Sequence, residues 1–243
     1  MHETSHGNRA FILALQRGIW WLSHLWFGLA LLLPLTMLLL GILAPSLQRD
    51  GRENEATAVY DFMRVQNHQL PQRSYFLFGE AAAIGSYDVQ ELQAYGADPA
   101  ELESFRGNPQ IGYKMALNQR MIAIFAAALL AALGWLAFRG RPALPWWGLL
   151  LLALPMLIDA LTLLLTEAGV VAWRMDNTWA RLLWGEADAD FYTGDTIGVL
   201  NWWLRTLTGI LFGAGLTLYL LTRFDAYFRR LRSVLGPRMR RRE

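Results

Sequence analysis

Four apolar stretches, at about residues 19–43, 121–138, 144–165 and 200–222, set the terms on which this 243-residue chain can fold. Each approaches or exceeds the roughly 20 residues that a helix rising 1.5 Å per residue needs to cross a bilayer. Lipid offers the backbone no hydrogen-bond partner, so such stretches satisfy their own polar groups as helices. Hydrophobic residues make up 54% of the chain, which places it in the membrane class. Most of the 11 tryptophans flank the apolar runs, among them Trp20, Trp21, Trp135, Trp146, Trp147 and Trp202. There an amphipathic ring sits at the membrane interface. The first stretch exceeds the roughly 7–15 apolar residues of a signal peptide and has no small-residue cleavage site, so it reads as a membrane helix. The expected fold is all-α: an integral membrane four-helix bundle with helical extracytoplasmic loops, one membrane domain over residues 1–243.

Charge gives the orientation. Arg9 and Arg17 precede the first span, Arg139 and Arg141 lie between the second and third, and eight arginines from Arg223 to Arg242 follow the fourth. A four-helix path puts all three groups on one face, which the positive-inside rule makes cytoplasmic. The loops at about 44–118 and 166–199 hold 16 of the 20 acidic residues and fall together on the other face. Both termini are therefore expected inside, in a prokaryotic cytoplasmic (plasma) membrane. The basic tail, residues 223–243, is expected to meet anionic lipid headgroups, at about 1 kcal/mol per basic residue near the surface. A nucleic-acid partner is not expected. A membrane-protein partner or a second copy of the chain fits the class equally. The only lysine is Lys114, a preference for arginine that we ascribe to genome composition.

The first long loop is too long to lack structure. Residues 55–66 have helical composition. Asp88 with Glu91 reads as a capping-box variant opening a short helix that stops at Gly96, and Asp98 followed by Pro99 opens another. The second loop carries Trp173, Trp179, Trp184 and Phe191 and is expected on the membrane surface.

One residue is out of place in this solvent. Asp159 lies inside the third span, where an acidic side chain costs about 2.5–3.5 kcal/mol on insertion scales. The third span runs outward, so Asp159 sits roughly 10–12 Å below its outer end at 1.5 Å per residue. Arg205 lies a few residues into the fourth span and Arg120 opens the second, both entering from outside. An Asp–Arg pair in the outer half of the bilayer is the expected compensation. Thr162, one turn from Asp159, and Thr208 are expected to add hydrogen bonds. Two readings stay open: a polar pocket for an ion, headgroup, quinone-like molecule or proton, and a structural ion pair that fixes helix register.

Other features carry less. His68, in a loop segment with Gln69 and Arg73, titrates near neutral pH or is simply solvated. His24 in the first span is expected to face the bundle, but no second ligand is spaced to join it at a haem or metal. Gly209, Gly213 and Gly215 form a small-residue face for close helix packing, within the chain or between two copies. The absence of cysteine excludes disulfides, thiolate metal sites, cysteine nucleophiles and iron–sulfur ligation. There is no phosphate loop, zinc-protease motif, nucleophile elbow or dinucleotide fingerprint. No cofactor and no metal site is expected.

Taken together, several segments resemble a prokaryotic family of multi-pass membrane proteins, domain of unknown function 2085. The resemblance rests on His68, Gln69, Arg73 and Ser74; on Arg120; on Pro155, Asp159 and Thr162; and on Arg205, Thr208, Gly209 and Gly213. It spans about residues 65–215. The family's cysteines are replaced here by Asn67, Asn118 and Met121, its Gly after the motif Asp by Ala160, and its Gln by Leu163. A soft-metal or redox role of those cysteines would therefore be lost. The stretch at about 173–201 is also longer than the family's connection.

The chain is thus expected to be a multi-pass membrane protein with an outer-leaflet polar pocket of Asp159, Arg205, Arg120, Thr162, His68 and Arg73, of a binding or transport type for a small molecule, ion or lipid or quinone. Two other readings stand beside this one: a structural or accessory subunit of a membrane complex, and an enzyme on a lipid-like substrate with His68 and Asp159 as general base and acid.

Overall fold

The computed structural model describes residues 3–65, 69–137, 143–185 and 188–240, the side chains of 3–10 and 238–240 excepted. His68, Asn67, Arg139 and Arg141 lie outside these residues, as do Arg241 and Arg242. Helix α1 is Glu3–Arg49, and α2, Glu53–Arg64, turns back along it. The loop cap follows: β1 (Ser74–Leu77), β2 (Ile84–Gly85), α3 (Val89–Ala94), β3 (Gly107–Asn108) and β4 (Gly112–Asn118). Helices α4 (Gln119–Ala137) and α5 (Trp146–Glu167) come next, then the short α6 (Arg181–Trp184) and α7 (Ala189–Tyr192), and finally α8 (Leu200–Arg240). Within these, α1, α4, α5 and α8 are long and apolar enough to cross a membrane. The last of them continues well past residue 222, so most of the basic tail extends the span as helix.

The expectation of an all-α fold needs correction. Residues 74–118 carry a four-stranded antiparallel sheet in the order β2-β1-β4-β3, with Phe76 opposite Lys114 and Gly107 opposite Tyr113. Two strands have only two residues each, and β1 alternates over just four, too little to set a period-two pattern apart. In β4, moreover, residues on both faces are buried: Ala116 and Leu117 pack on Ala44 and Leu47 of α1, while Ile111, just before the strand, joins Phe76 and Leu92. A Cβ at Gly107 would meet the Gly112 carbonyl, and Gly107 holds φ +100°, so this tight pairing needs glycine. The helical signals also hold: Asp88 and Glu91 form a reciprocal capping box on α3, and the Asp98 side chain accepts from Ala100 N at 2.8 Å.

Helices α4 and α8 pack most closely. A Cβ on Gly213 would clash with the Ile124 backbone, and one on Gly209 would press on Arg120 and Ala123. Small residues let backbones approach where lipid supplies no hydrophobic drive. The glycine face is therefore occupied within the chain. At the end near the termini, Trp26 stacks on Phe228 with centroids 5.4 Å apart and meets Trp135 edge-on at 5.9 Å.

Lys114 anchors the loop cap. It is 1% exposed. Its Nζ donates to the carbonyls of Gln69 and Glu103 at 2.9 and 2.8 Å, while the Tyr60 hydroxyl donates to the Lys114 carbonyl. Burial pushes the amine down to about 7. A neutral amine has two N–H groups, matching the two carbonyl acceptors; an ammonium would bring a third donor. Gln69 Nε2 donates to Tyr60 O at 2.8 Å, which fixes the segment leading to Arg73.

Candidate functional site

Where the loop cap meets the ends of α4, α5 and α8, seven charged side chains form two linked groups. In the first, Asp159 on α5 is 5% exposed. Arg120 Nη2, at the start of α4, donates to its Oδ2 at 2.5 Å. Arg174 Nη2, from the second loop, lies 2.7 Å from Oδ1, in contact but not aligned as a hydrogen bond. In the second, Asp195 of the second loop accepts from Arg205 Nη1 at 2.5 Å and from Arg73 Nε at 3.2 Å, and Arg73 also pairs with Glu167 at the end of α5. Arg205, 2% exposed, further donates to Gln119 Oε1 at 3.1 Å.

The sequence offered both Arg120 and Arg205 as partners for Asp159; the structure pairs it with Arg120 and not with Arg205. The partners of Asp159 are Arg120 and Arg174, and Arg205 turns to Asp195. Nothing in the apolar pattern exposed Arg174 or Asp195, because both are loop residues whose depth is set by how the loop folds back. Asn177 and Asn201 set it. Asn201 Nδ2 donates to the carbonyls of Arg174 (3.2 Å) and Gly194 (2.9 Å), and Asn177 Nδ2 to Tyr192 O at 2.7 Å and Asn201 Oδ1 at 3.2 Å. Two buried amides thus hold both ends of the loop, a role that a lone Asn in a sequence does not announce. Ile197 N donating to Ser86 Oγ, and Trp202 Nε1 to the Tyr75 hydroxyl, tie this loop and α8 to the first loop.

Other expectations also change. The Thr162 hydroxyl donates to the carbonyls of Ile158 and Asp159 and that of Thr208 to Leu204 O, so neither reaches a carboxylate. His24 is exposed and contacts Trp20 O of its own helix at 2.9 Å instead of facing the bundle. Asn118, where the resemblance implies a cysteine in the family, accepts from Met121 N at 2.9 Å and so caps the start of α4. Met121 packs beside the core of α1 and β4.

The electrostatics follow from burial. Arg205 and Arg73 hold the Asp195 carboxyl below its ordinary value although burial alone would raise it. Burial pulls the Arg174 guanidinium below its ordinary value, against the pull of Asp159. Among these ion-paired groups, four guanidiniums meet three carboxylates. The Nε atoms of Arg120, Arg174 and Arg205 are buried without a hydrogen-bond partner. The network is thus formally one positive charge in excess and has unused donors.

Two cavities adjoin it. A polar one of about 480 Å³ is lined by Gln69, Arg73, Asn118, Arg120, Glu167 and Arg205, with Glu103 on its exposed rim. Ala160 and Leu163, where the resemblance implies Gly and Gln in the family, also line it. An apolar one of about 630 Å³ lies between α5, α8 and the second loop, with Asp159 and Arg174 in its wall. The Asp159–Arg120 pair stands between the two.

Comparison with curated proteins gives no match, and comparison with solved structures gives none. Residues 109–188, which contain Arg120, Asp159 and Arg174 of the network, match the family model described as predicted membrane protein (DUF2085), the family that the sequence motifs resemble.

Proposed function

We propose that this membrane protein binds an anionic small molecule or headgroup in the polar cavity at the extracytoplasmic end of its bundle. The observation that carries the reading is the excess positive charge of a largely buried network bordering an open cavity. An excess of buried positive charge is costly, and an anion set against Arg73, Arg120 and Arg205 in the cavity wall offsets that cost. Arg73, Arg120 and Arg205 act as the anion clamp and Asp159 as the charge acceptor. Ala160 and Leu163 shape the wall that distinguishes this chain from the family pattern. The orientation that supports the reading places both termini in the cytoplasm of a prokaryote, with the basic end of α8 on anionic headgroups.

One observation favours a second reading, a structural or accessory subunit: Asp159 already faces two guanidiniums, enough to fix helix register without a ligand. The enzyme reading needs His68, which lies outside the described residues.

Calorimetry of the purified protein with inorganic phosphate separates the first two. Saturable binding weakened by Arg73→Gln, with the fold retained, supports the anion site. No heat with phosphate, or binding unchanged in that variant, returns the network to a purely structural role.

A further inference from the structure

We infer that the apolar cavity beside Asp159 seats the hydrocarbon chain of an anionic membrane lipid, whose head pairs with Arg174. The inference rests on reading the arginine network as an anion site and names its ligand class. Three features of the cavity lead there.

The first is shape. The wall on α5 runs from Leu151 to Thr162, about 17 Å of helix at 1.5 Å per residue. The volume of about 630 Å³ falls in the range of about 300–1,000 Å³ typical of ligand sites. An elongated chain fits such a groove better than a compact molecule.

The second is the solvent outside. Leu151, Leu154 and Ile158 line the cavity yet are each at least half exposed, so it opens on the flank of the bundle, not into its core. The flank of an apolar span faces hydrocarbon. The material at the opening is lipid chain.

The third is the polar end. Asp159 and Arg174, both 5% exposed, lie in this otherwise apolar wall. Arg174 Nε is buried without a hydrogen-bond partner, and burial weakens the hold of this side chain on its proton. Trp173 and Trp179 close the same end, with Trp179 Nε1 donating to Trp173 O at 3.1 Å. Tryptophan marks the depth at which headgroups lie. A lipid standing in the groove thus has its chain along α5 and its anionic head level with Arg174.

The test uses the full chain in nanodiscs containing a phospholipid with a photoactivatable acyl chain, offered with a phosphatidylglycerol or a phosphatidylcholine head. Crosslinks are mapped by mass spectrometry. The inference expects labelling concentrated on 151–162 of α5 and around Leu204, above that on the exposed α1 residues Leu22, Leu25 and Leu29. Leu154→Trp, which fills the groove, should abolish this excess while leaving phosphate binding at the polar cavity intact. An anionic head favoured by one well-made ion pair labels about tenfold more efficiently than a zwitterionic one. Labelling spread evenly over all lipid-facing helices, or untouched by Leu154→Trp, overturns the groove assignment even where phosphate still binds. Groove labelling with no preference for the anionic head overturns the pairing with Arg174, while loss of phosphate binding at the polar cavity is what overturns the anion reading on which the inference rests.

Discussion

The two ends of the helix bundle are held by different chemistry. Near the termini, Trp26, Trp135 and Phe228 interlock as rings, and a little further along the bundle Gly213 brings α8 against α4. Near the loops, seven charged groups and four amide or hydroxyl contacts join α4, α5 and α8 to two loops. Ring and backbone contacts are short-ranged, and the cavity of about 350 Å³ beside them, lined by Leu29, Ala132, Gly213 and Leu221, is almost wholly apolar. Ion pairs act over longer distances. The bundle therefore offers mainly apolar surface at one end and charged groups to a ligand at the other.

The sharpest way to break the contrast is Asp159→Ala. It leaves Arg120 and Arg174 buried without their carboxylate, and loss of one partner of a buried pair costs about 3–5 kcal/mol. Thermal unfolding in detergent followed by tryptophan fluorescence should show the largest drop of any substitution named here. Asp159→Asn keeps the shape without the charge and should recover part of it; equal losses in both would mean that charge alone, not shape, matters at this position.

Trp26→Ala tests the other end. A buried Trp→Ala in a soluble protein costs about 3–5 kcal/mol, but in a bilayer lipid chains solvate the ring and refill the space. The loss should fall below that range in nanodiscs and be larger in a short-chain detergent. Asp195→Asn comes next. Glu167 still faces Arg73, and Gln119 still accepts from Arg205, so about 1–3 kcal/mol is expected, the cost of under-satisfied buried donors. In the intact protein the Asp195 carboxyl is held below its ordinary 3.8. Its contribution is complete above that pH and is lost as the pH falls through the lower folded value. Limited proteolysis of the second loop at falling pH should therefore begin well below pH 4 and not near 5.

The prediction for Lys114 is read as a slope with pH and not as a loss. Its folded value of about 7 lies under the ordinary 10.5, so between the two the unfolded chain holds a proton that the folded chain has released. Stability should rise with pH across that window. Lys114→Met should flatten the slope; an unchanged slope would assign it to another group.

Much of the bundle was legible because membrane spans are long and their residue type is dictated by the solvent. Asp159 stood out for the same reason, since a carboxylate within an apolar run contradicts its surroundings. Arg120 and Arg205 could be placed at the right end of the bundle from their distance to a span boundary. Pairing was another matter. Which guanidinium meets which carboxylate depends on helix rotation and on a loop folding back, and Arg174 reaches Asp159 only because Asn177 and Asn201 hold that loop. The sheet was hidden because β1 alternates over only four residues, β2 and β3 have two each, and β4, the longest, is buried on both faces.

The seclusion of Lys114 has a practical side. The chain has no thiol and only this one side-chain amine, which the folded loop cap keeps from solvent. It therefore offers a nearly blank background for chemical labelling. A single cysteine introduced anywhere on its surface can be tagged without competition, and a side-chain amine that reacts with an acylating reagent reports that β4 has come away from its place.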